Sequence, residues 1–275
     1  GMNVTVQRVG KTLGVYVPLE KLFDSTLRLS PEVGDQLDGV ILSTSRVVLS
    51  TNDPPDFYVV VAQDKRIPGI ELKLIRYVQD LRRFWLQDLS RGEFNKRMLF
   101  EFGLDLGIFK EGNEHFNLEE VHFEQFLAQQ MAFRIKMRLE EEALFKNKLE
   151  LRTVKGKFVE AQTDADGKTQ GKPAGDFALS LDVQDRGFAL RKPIDAESEK
   201  KIFALMLDVV LEVFRGYHFE AFRNVTIQIP YLHQNFVIGR DDLERYRHKK
   251  MDLAELLLPK DFNLSPYDAE LLLKK

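Results

Sequence analysis

Apolar and polar residues alternate along the first part of the chain. Residues 4–9 and 12–17 form two alternating runs on either side of a Gly-Lys step, and this order is typical of a small β-hairpin. The Ser-Pro-Glu-Val-Gly-Asp segment at residues 30–35 predicts a turn. Short apolar runs predict further strands at residues 40–42, 46–49 and 57–61. We therefore predict a β-rich N-terminal region over residues 1–62.

Apolar residues recur every three or four positions through the middle of the chain. This spacing predicts one face of an amphipathic helix over residues 70–89 and a second helix over residues 94–109. A third helix is predicted to start at an Asn117 cap and to extend to about residue 149, which corresponds to a length on the order of 45 Å. Residues 63–150 are therefore predicted to be a helical middle region.

The last part of the chain mixes both periodicities. Residues 157–161, 177–183 and 225–229 have the apolar composition of strands. Asp195 precedes an apolar helical stripe that ends near Gly216, so it is a candidate N-cap. The order strand, strand, helix, strand predicts a compact C-terminal α+β domain over residues 151–275. The fold class that we predict for the whole chain is α+β.

Composition limits the chemistry that is available to this protein. The 275 residues carry a net charge of -3 at pH 7, so a nucleic-acid-binding field would have to come from a local patch. There is no cysteine, which excludes disulfides, thiolate metal sites and cysteine nucleophiles. No apolar run approaches the roughly 20 residues that span a bilayer, and no signal-peptide pattern opens the chain. We therefore expect a cytoplasmic protein without membrane contact.

The N-terminal segment contains an ordered set of short motifs. These are Arg8-Val9-Gly10, Thr12, Val15-Tyr16-Val17-Pro18, Gly34-Asp35 and Arg46-Val47-Val48-Leu49. Over residues 3–50 this order resembles the swapped-hairpin module of bacterial transition-state regulators and antitoxins, the AbrB and MazE type. The resemblance implies that two chains interleave their hairpins and that Arg8 and Lys11 contact DNA, with Thr12 able to donate to a phosphate. The alternative is a plain hairpin that begins a sheet.

A second pattern has the order found in nucleases of the restriction-endonuclease type. Asp56 precedes an apolar strand, and Glu71 and Lys73 follow it. In such enzymes carboxylates hold Mg²⁺ and a lysine positions the attacking water. The arrangement requires Glu71 and Lys73 on one side of a strand. The helix predicted over residues 70–89 would instead turn them about 200° apart.

Two further clusters of polar residues have less specific patterns. The densest basic run is Arg245, Arg247, His248, Lys249 and Lys250. Acidic residues precede it, so the run is either the basic end of an exposed helix or a local patch for an anion or a nucleic acid. Glu119 and His122 form half of a di-iron signature whose second half is missing. We therefore expect no metal site and no cofactor.

These patterns together favour a non-catalytic binding or regulatory protein. We expect a protein partner or self-association, and DNA binding through Arg8, Lys11 and Thr12 is the most specific form of this prediction. One alternative is a Mg²⁺-dependent nuclease that uses Asp56, Glu71 and Lys73. The other is an assembly subunit whose long helix pairs with a partner through an apolar stripe, which consists of Phe123, Leu127 and Met131.

Overall fold

The chain folds into two compact α+β units, residues 1–122 and residues 123–275. The boundary between them lies inside the predicted helical middle region. The computed structural model describes residues 4–24, 29–67, 69–104, 118–160, 175–186, 195–232 and 234–257. The Asn117 cap and most of the segment between the strands predicted at 157–161 and 177–183 lie outside these residues. None of the helices in these ranges is long and apolar enough to cross a membrane.

The N-terminal unit is built on one mixed five-stranded sheet. Its elements are β1 Thr5–Val9, β2 Thr12–Leu19, α1 Pro31–Ser50, β3 Phe57–Asp64, β4 Ile70–Tyr77, α2 Val78–Trp85, α3 Arg91–Lys96 and β5 Leu99–Leu104. The strands lie in chain order, with β2 and β3 parallel and the other neighbours antiparallel. A parallel pair needs a crossover connection, and α1 provides it.

The predicted N-terminal hairpin is confirmed. β1 and β2 pair antiparallel up to Val9 and Thr12, and Gly10 in the turn has a φ of +54°. This left-handed conformation favours glycine. A Cβ atom at Gly10 would also lie 2.0 Å from Oε1 of Glu120, whose carboxylate accepts the Lys11 N–H at 2.8 Å. The glycine therefore permits both the turn and the close approach of Glu120.

The turn predicted at residues 30–35 and the strands predicted at 40–42 and 46–49 are wrong, because all three segments belong to α1. Ser30 has extended dihedral angles just before the helix, and Pro31 occupies its first turn, where a missing N–H costs no hydrogen bond. Val33, Leu37 and Val48 follow helical spacing and pack in the core against the sheet. The short apolar runs that suggested strands are parts of this stripe.

The helices predicted over residues 70–89 and 94–109 are also wrong over much of their length. Residues 70–77 form β4, and only the following eight residues form a helix, α2. Residues 99–104 form β5. Leu72 and Leu74 alternate with polar residues as a strand requires, and β3 and β5 supply hydrogen-bonding partners on both sides. Tertiary pairing therefore decides between two periodicities that the sequence carries at once.

The C-terminal unit has a four-stranded sheet with helices packed on it. Its elements are α4 Phe123–Glu141, α5 Ala143–Asn147, β6 Leu149–Val159, β7 Gly175–Asp185, α6 Ala196–Tyr217, β8 Phe222–Ile229, a 3₁₀ turn Pro230–Leu232, β9 Gln234–Gly239, α7 Arg240–Arg247 and α8 Leu253–Leu256. The strand order is β6-β7-β8-β9, with β7 and β8 parallel. The strands predicted at 177–183 and 225–229 are confirmed.

Two helices of this unit test the sequence predictions directly. Asp195 caps α6, since its carboxylate accepts the Ser198 N–H at 2.8 Å, as predicted. The long helix α4 is confirmed but ends at Glu141, so it is shorter than predicted. Of the predicted partner stripe, Leu127 and Met131 are fully buried and the half-buried Phe123 ring packs against aromatic rings of the same unit, so the stripe faces the interior of its own unit.

The two units share one topology. In each unit, a helix connects two antiparallel strand pairs, and the second strand of the first pair lies parallel to the first strand of the second pair. The elements β1-β2-α1-β3-β4 thus correspond in order to β6-β7-α6-β8-β9, and two short helices follow the second hairpin in both units. The sequence shows no internal repeat, so this correspondence is visible only in the structure.

Candidate anion-binding cleft

The hairpin residues that the sequence proposed for DNA binding are only partly available. Arg8 and Lys11 both bind the carboxylate of Asp53, each at 2.7 Å, on an exposed surface. The hydrogen bond from Lys11, followed by that from Arg8, holds the pKa of Asp53 below its usual range. Thr12 is fully buried, and its hydroxyl oxygen accepts the Val121 N–H at 2.9 Å. One carboxylate thus offsets part of the positive charge of the hairpin.

The three residues of the nuclease pattern do not converge. Glu71 and Lys73 lie on one side of β4 and form a 2.7 Å ion pair, so the strand that the pattern requires is present. Glu71 pairs in register with Gln63 at the end of β3, whereas Asp56 precedes the start of that strand. Asp56 and Gln63 are seven residues apart in an extended chain, which places Asp56 about 23 Å from the position of Gln63 and Glu71. A shared metal site for Asp56 and Glu71 is therefore not formed.

A third acidic residue lies beside the ion pair on β4. Glu101 of β5 is directly opposite Lys73 in the antiparallel register. Burial raises the pKa of Glu101, Lys73 lowers it, and Glu71 raises it, with a net increase. Within the described part of the chain, no group of three or more histidine, aspartate or glutamate side chains is placed to hold a metal ion.

The C-terminal unit contains a polar cleft with a volume of about 810 Å³. Arg138 at the end of α4 lines one side, and Asp208, Glu212 and Arg215 line another. These three residues of α6 are spaced by three or four positions, so they share a helix face. The opposite face of α6 is buried, which fixes the direction of these polar side chains.

The remaining wall of the cleft is the connection from α7 to α8. Lys249 has a φ of +57°, and its N–H donates to the Tyr246 carbonyl at 2.9 Å. The Lys250 N–H donates to the Arg245 carbonyl at 2.8 Å. These two bonds form a Schellman motif, whose left-handed position usually holds glycine. A lysine there is unusual, and the motif brings Lys249 and Lys250 to the cleft.

Most of the acidic groups of the cleft are already engaged. Glu212 binds Arg134 at 2.8 Å and also binds Arg138. The Asp252 carboxylate accepts the Glu255 N–H at 2.7 Å and so caps α8. Glu255 itself lies 3.6 Å from Arg245. Arginines therefore offset the charges of Glu212 and Glu255, whereas Asp252 keeps its negative charge, because a backbone N–H is a neutral donor.

Three cations of the cleft take part in none of the ion pairs formed between described residues, namely Arg215, Lys249 and Lys250. Asp208 and Asp252 are the acidic residues that oppose them. Burial, followed by Asp208, raises the pKa of the Tyr246 hydroxyl, which places that carboxylate near the ring. Counting only side chains without an ion-pair partner among the described residues, the cleft has three positive charges against two negative charges.

The sequence identified only part of this cleft. The basic run at residues 245–250 stood out, and Lys249 and Lys250 belong to it. Arg138 and Arg215 were not proposed, because a single arginine on a long helix forms no pattern in the sequence. Their convergence on one cleft becomes visible only where α4, α6 and α7 meet. No family model, curated protein or solved structure matches this chain.

Proposed function

We propose that this chain is a non-catalytic binding protein whose C-terminal unit holds an anionic ligand in the cleft between α6 and the α7–α8 connection. The observation that carries the proposal is the surplus of cations. Arg215, Lys249 and Lys250 line one cavity of about 810 Å³ and have no ion-pair partner among the described residues. An anion that enters the cleft gains charge-assisted hydrogen bonds without displacing an existing ion pair.

The chemistry of the lining favours a ligand with several negative oxygens. Lysine and arginine donors differ in direction, and together they suit a phosphate or polyphosphate group better than a single carboxylate. Leu211, the ring of Tyr246 and the buried Met251 add apolar surface to the same cavity. Such a combination of a few polar groups with apolar walls is common in small-molecule sites.

DNA binding through the hairpin is a less supported form of the same function. Asp53 already pairs with both Arg8 and Lys11, and Thr12 is buried. A nucleic acid would have to compete with Asp53 for both cations, which reduces the favourable release of counterions. The cleft in the C-terminal unit offers cations that need no such competition.

Calorimetric titration with sodium pyrophosphate tests the proposal. We expect binding that weakens as sodium chloride is added, because salt screens the exposed cations. The substitution Lys249→Gly removes one charge and places glycine at the left-handed position, so it leaves the turn intact or improves it. We expect this variant and Lys250→Ala each to lower the affinity by about tenfold, which corresponds to about 1.4 kcal/mol.

Lys200→Ala is the matched control. Lys200 is an exposed lysine on the same helix α6, about 22 Å along the axis from Arg215, and it does not line the cleft. We expect its affinity for pyrophosphate to equal that of the wild type. The proposal is refuted if the wild type shows no binding, or if Lys249→Gly and Lys250→Ala bind as tightly as the control.

A further inference from the structure

Within the described part of the chain, β1 pairs with β2 on one side only, and an apolar groove lies beside it. We propose that a second copy of this chain binds this edge, with β1 of each copy paired antiparallel across a two-fold axis. β1 is the edge strand, and its residues Thr5–Arg8 are all exposed. The outward N–H and C=O groups of such a strand are a template for another strand.

β1 lacks the features that usually protect an edge. It contains no proline, and its register with β2 is regular over all five residue pairs, without a bulge. Its single charged residue is Arg8, which is bound to Asp53 instead of standing free at the edge. Proteins that keep an edge strand unpaired commonly use these features to block association. Their absence from β1 favours pairing.

The groove next to β1 supplies apolar surface for the same contact. It has a volume of about 570 Å³ and lies between β1, β2 and α1. Val6 of β1 and Val47 of α1 line it, and each is 59 % exposed. Val4, Leu13 and Val40 complete most of its apolar lining. Pairing of the strand edges at Val6 would also remove part of this apolar side chain from water on both copies, which is favourable.

The surface is complementary to itself under a two-fold rotation. An axis at Val6 places this side chain against the partner's Val6, so the most exposed valine of β1 is covered on both copies. α1 connects the parallel strands β2 and β3 and so runs back along the sheet, in the same direction as β1. An antiparallel copy therefore reverses the direction of α1 as well.

Single-cysteine crosslinking tests this pairing because the natural chain contains no cysteine. In Val6→Cys the only two thiols are those of the two copies, and antiparallel pairing at this position brings them within disulfide range. We expect mild oxidation to convert this variant into a covalent dimer. Thr153→Cys is the control, because Thr153 is exposed on the edge strand β6 of the other sheet, where we expect no crosslink.

Sedimentation provides the second measurement. We expect the wild type to sediment at twice its 31.9 kDa monomer mass and Val6→Lys to sediment as a monomer. Val6→Thr is the control for Val6→Lys, because threonine preserves the shape and β propensity of the side chain. Circular dichroism of both variants verifies that they fold. A wild type that remains monomeric at every accessible concentration overturns the proposal. A dimer that Val6→Lys leaves intact and that Val6→Cys does not crosslink overturns it equally.

Discussion

Replacement of Gly156 by alanine tests how closely α4 packs on the C-terminal sheet. Gly156 lies on β6, and a Cβ atom added there would be 2.0 Å from the Ala128 carbonyl oxygen and 3.3 Å from the Ala132 Cβ. Carbon and carbonyl oxygen atoms rarely approach closer than about 3.3 Å. The helix and the strand must therefore separate locally by more than about 1 Å to accept one methyl group.

The separation would also stretch two hydrogen bonds that tie α4 to the edge of the sheet. The Gln125 side-chain amide donates to the Gly156 carbonyl at 3.2 Å, and its oxygen accepts the Phe158 N–H at 3.0 Å. Insertion of a methyl group into a well-packed interior costs about 1–3 kcal/mol. Because backbone atoms and not flexible side chains occupy the space, we expect Gly156→Ala to fall in the upper half of this range.

Differential scanning calorimetry measures the effect. For a unit of the size of residues 123–275, each kcal/mol lowers Tm by about 2–4 °C. We therefore expect Gly156→Ala to lower the Tm of the transition that includes this unit by about 4–12 °C. Thr153→Ala, at an exposed position of the same strand, is the control and should change the stability by less than about 0.5 kcal/mol. Equal Tm values for Gly156→Ala and the wild type would refute the close packing described here.

Two further predictions concern the N-terminal unit. Arg97 is buried and binds Asp80 at 2.7 Å and Glu93 at 2.8 Å. Arg97→Ala removes the cation beside the buried Asp80, so we expect the free energy of unfolding to fall by about 3–5 kcal/mol. Urea titration followed by the fluorescence of Trp85, the single tryptophan, measures this loss. A loss below about 1 kcal/mol would contradict this account. Burial raises the pKa of Asp64, but hydrogen bonds from Leu22 and Arg66 together lower it by more, so that the pKa lies below its usual value. The stabilising contribution of this carboxylate is therefore complete above the unfolded pKa of about 3.9 and is lost as pH falls through the lower folded pKa. We expect Asp64→Asn to unfold about 1–3 kcal/mol more easily at neutral pH and to lose less stability than the wild type on acidification, and parallel pH profiles would exclude this role.

The sequence predicted the elements that short-range interactions specify. The hairpin turn at Gly10, the N-cap at Asp195 and the strand that begins at Phe57 all depend on residues within a few positions of one another. The wrong predictions fall where two periodicities coincide. Residues 70–77 carry apolar positions at helical and at strand spacing, and only the neighbouring strands β3 and β5 select the strand.

The candidate site divides in the same way. The basic run near Lys249 could be found from the sequence, since its residues are adjacent. The sequence could not show whether these charges lack ion-pair partners, because that depends on which acidic residues lie nearby in space. Asp53 engages Arg8 and Lys11 from more than 40 positions away, and Glu212 engages Arg138 from 74 positions away.

The amino-acid sequence alone determined that this is an α+β protein, where its N-terminal hairpin turns and where its helix α6 begins. These features follow from backbone conformational preferences and from hydrogen bonds that close over three or four residues. Tertiary structure alone decided that two units share one strand topology, that Asp56 lies far from Glu71, and which cations face an open cleft. These features depend on contacts between residues that are distant in sequence, and local patterns carry no record of such contacts.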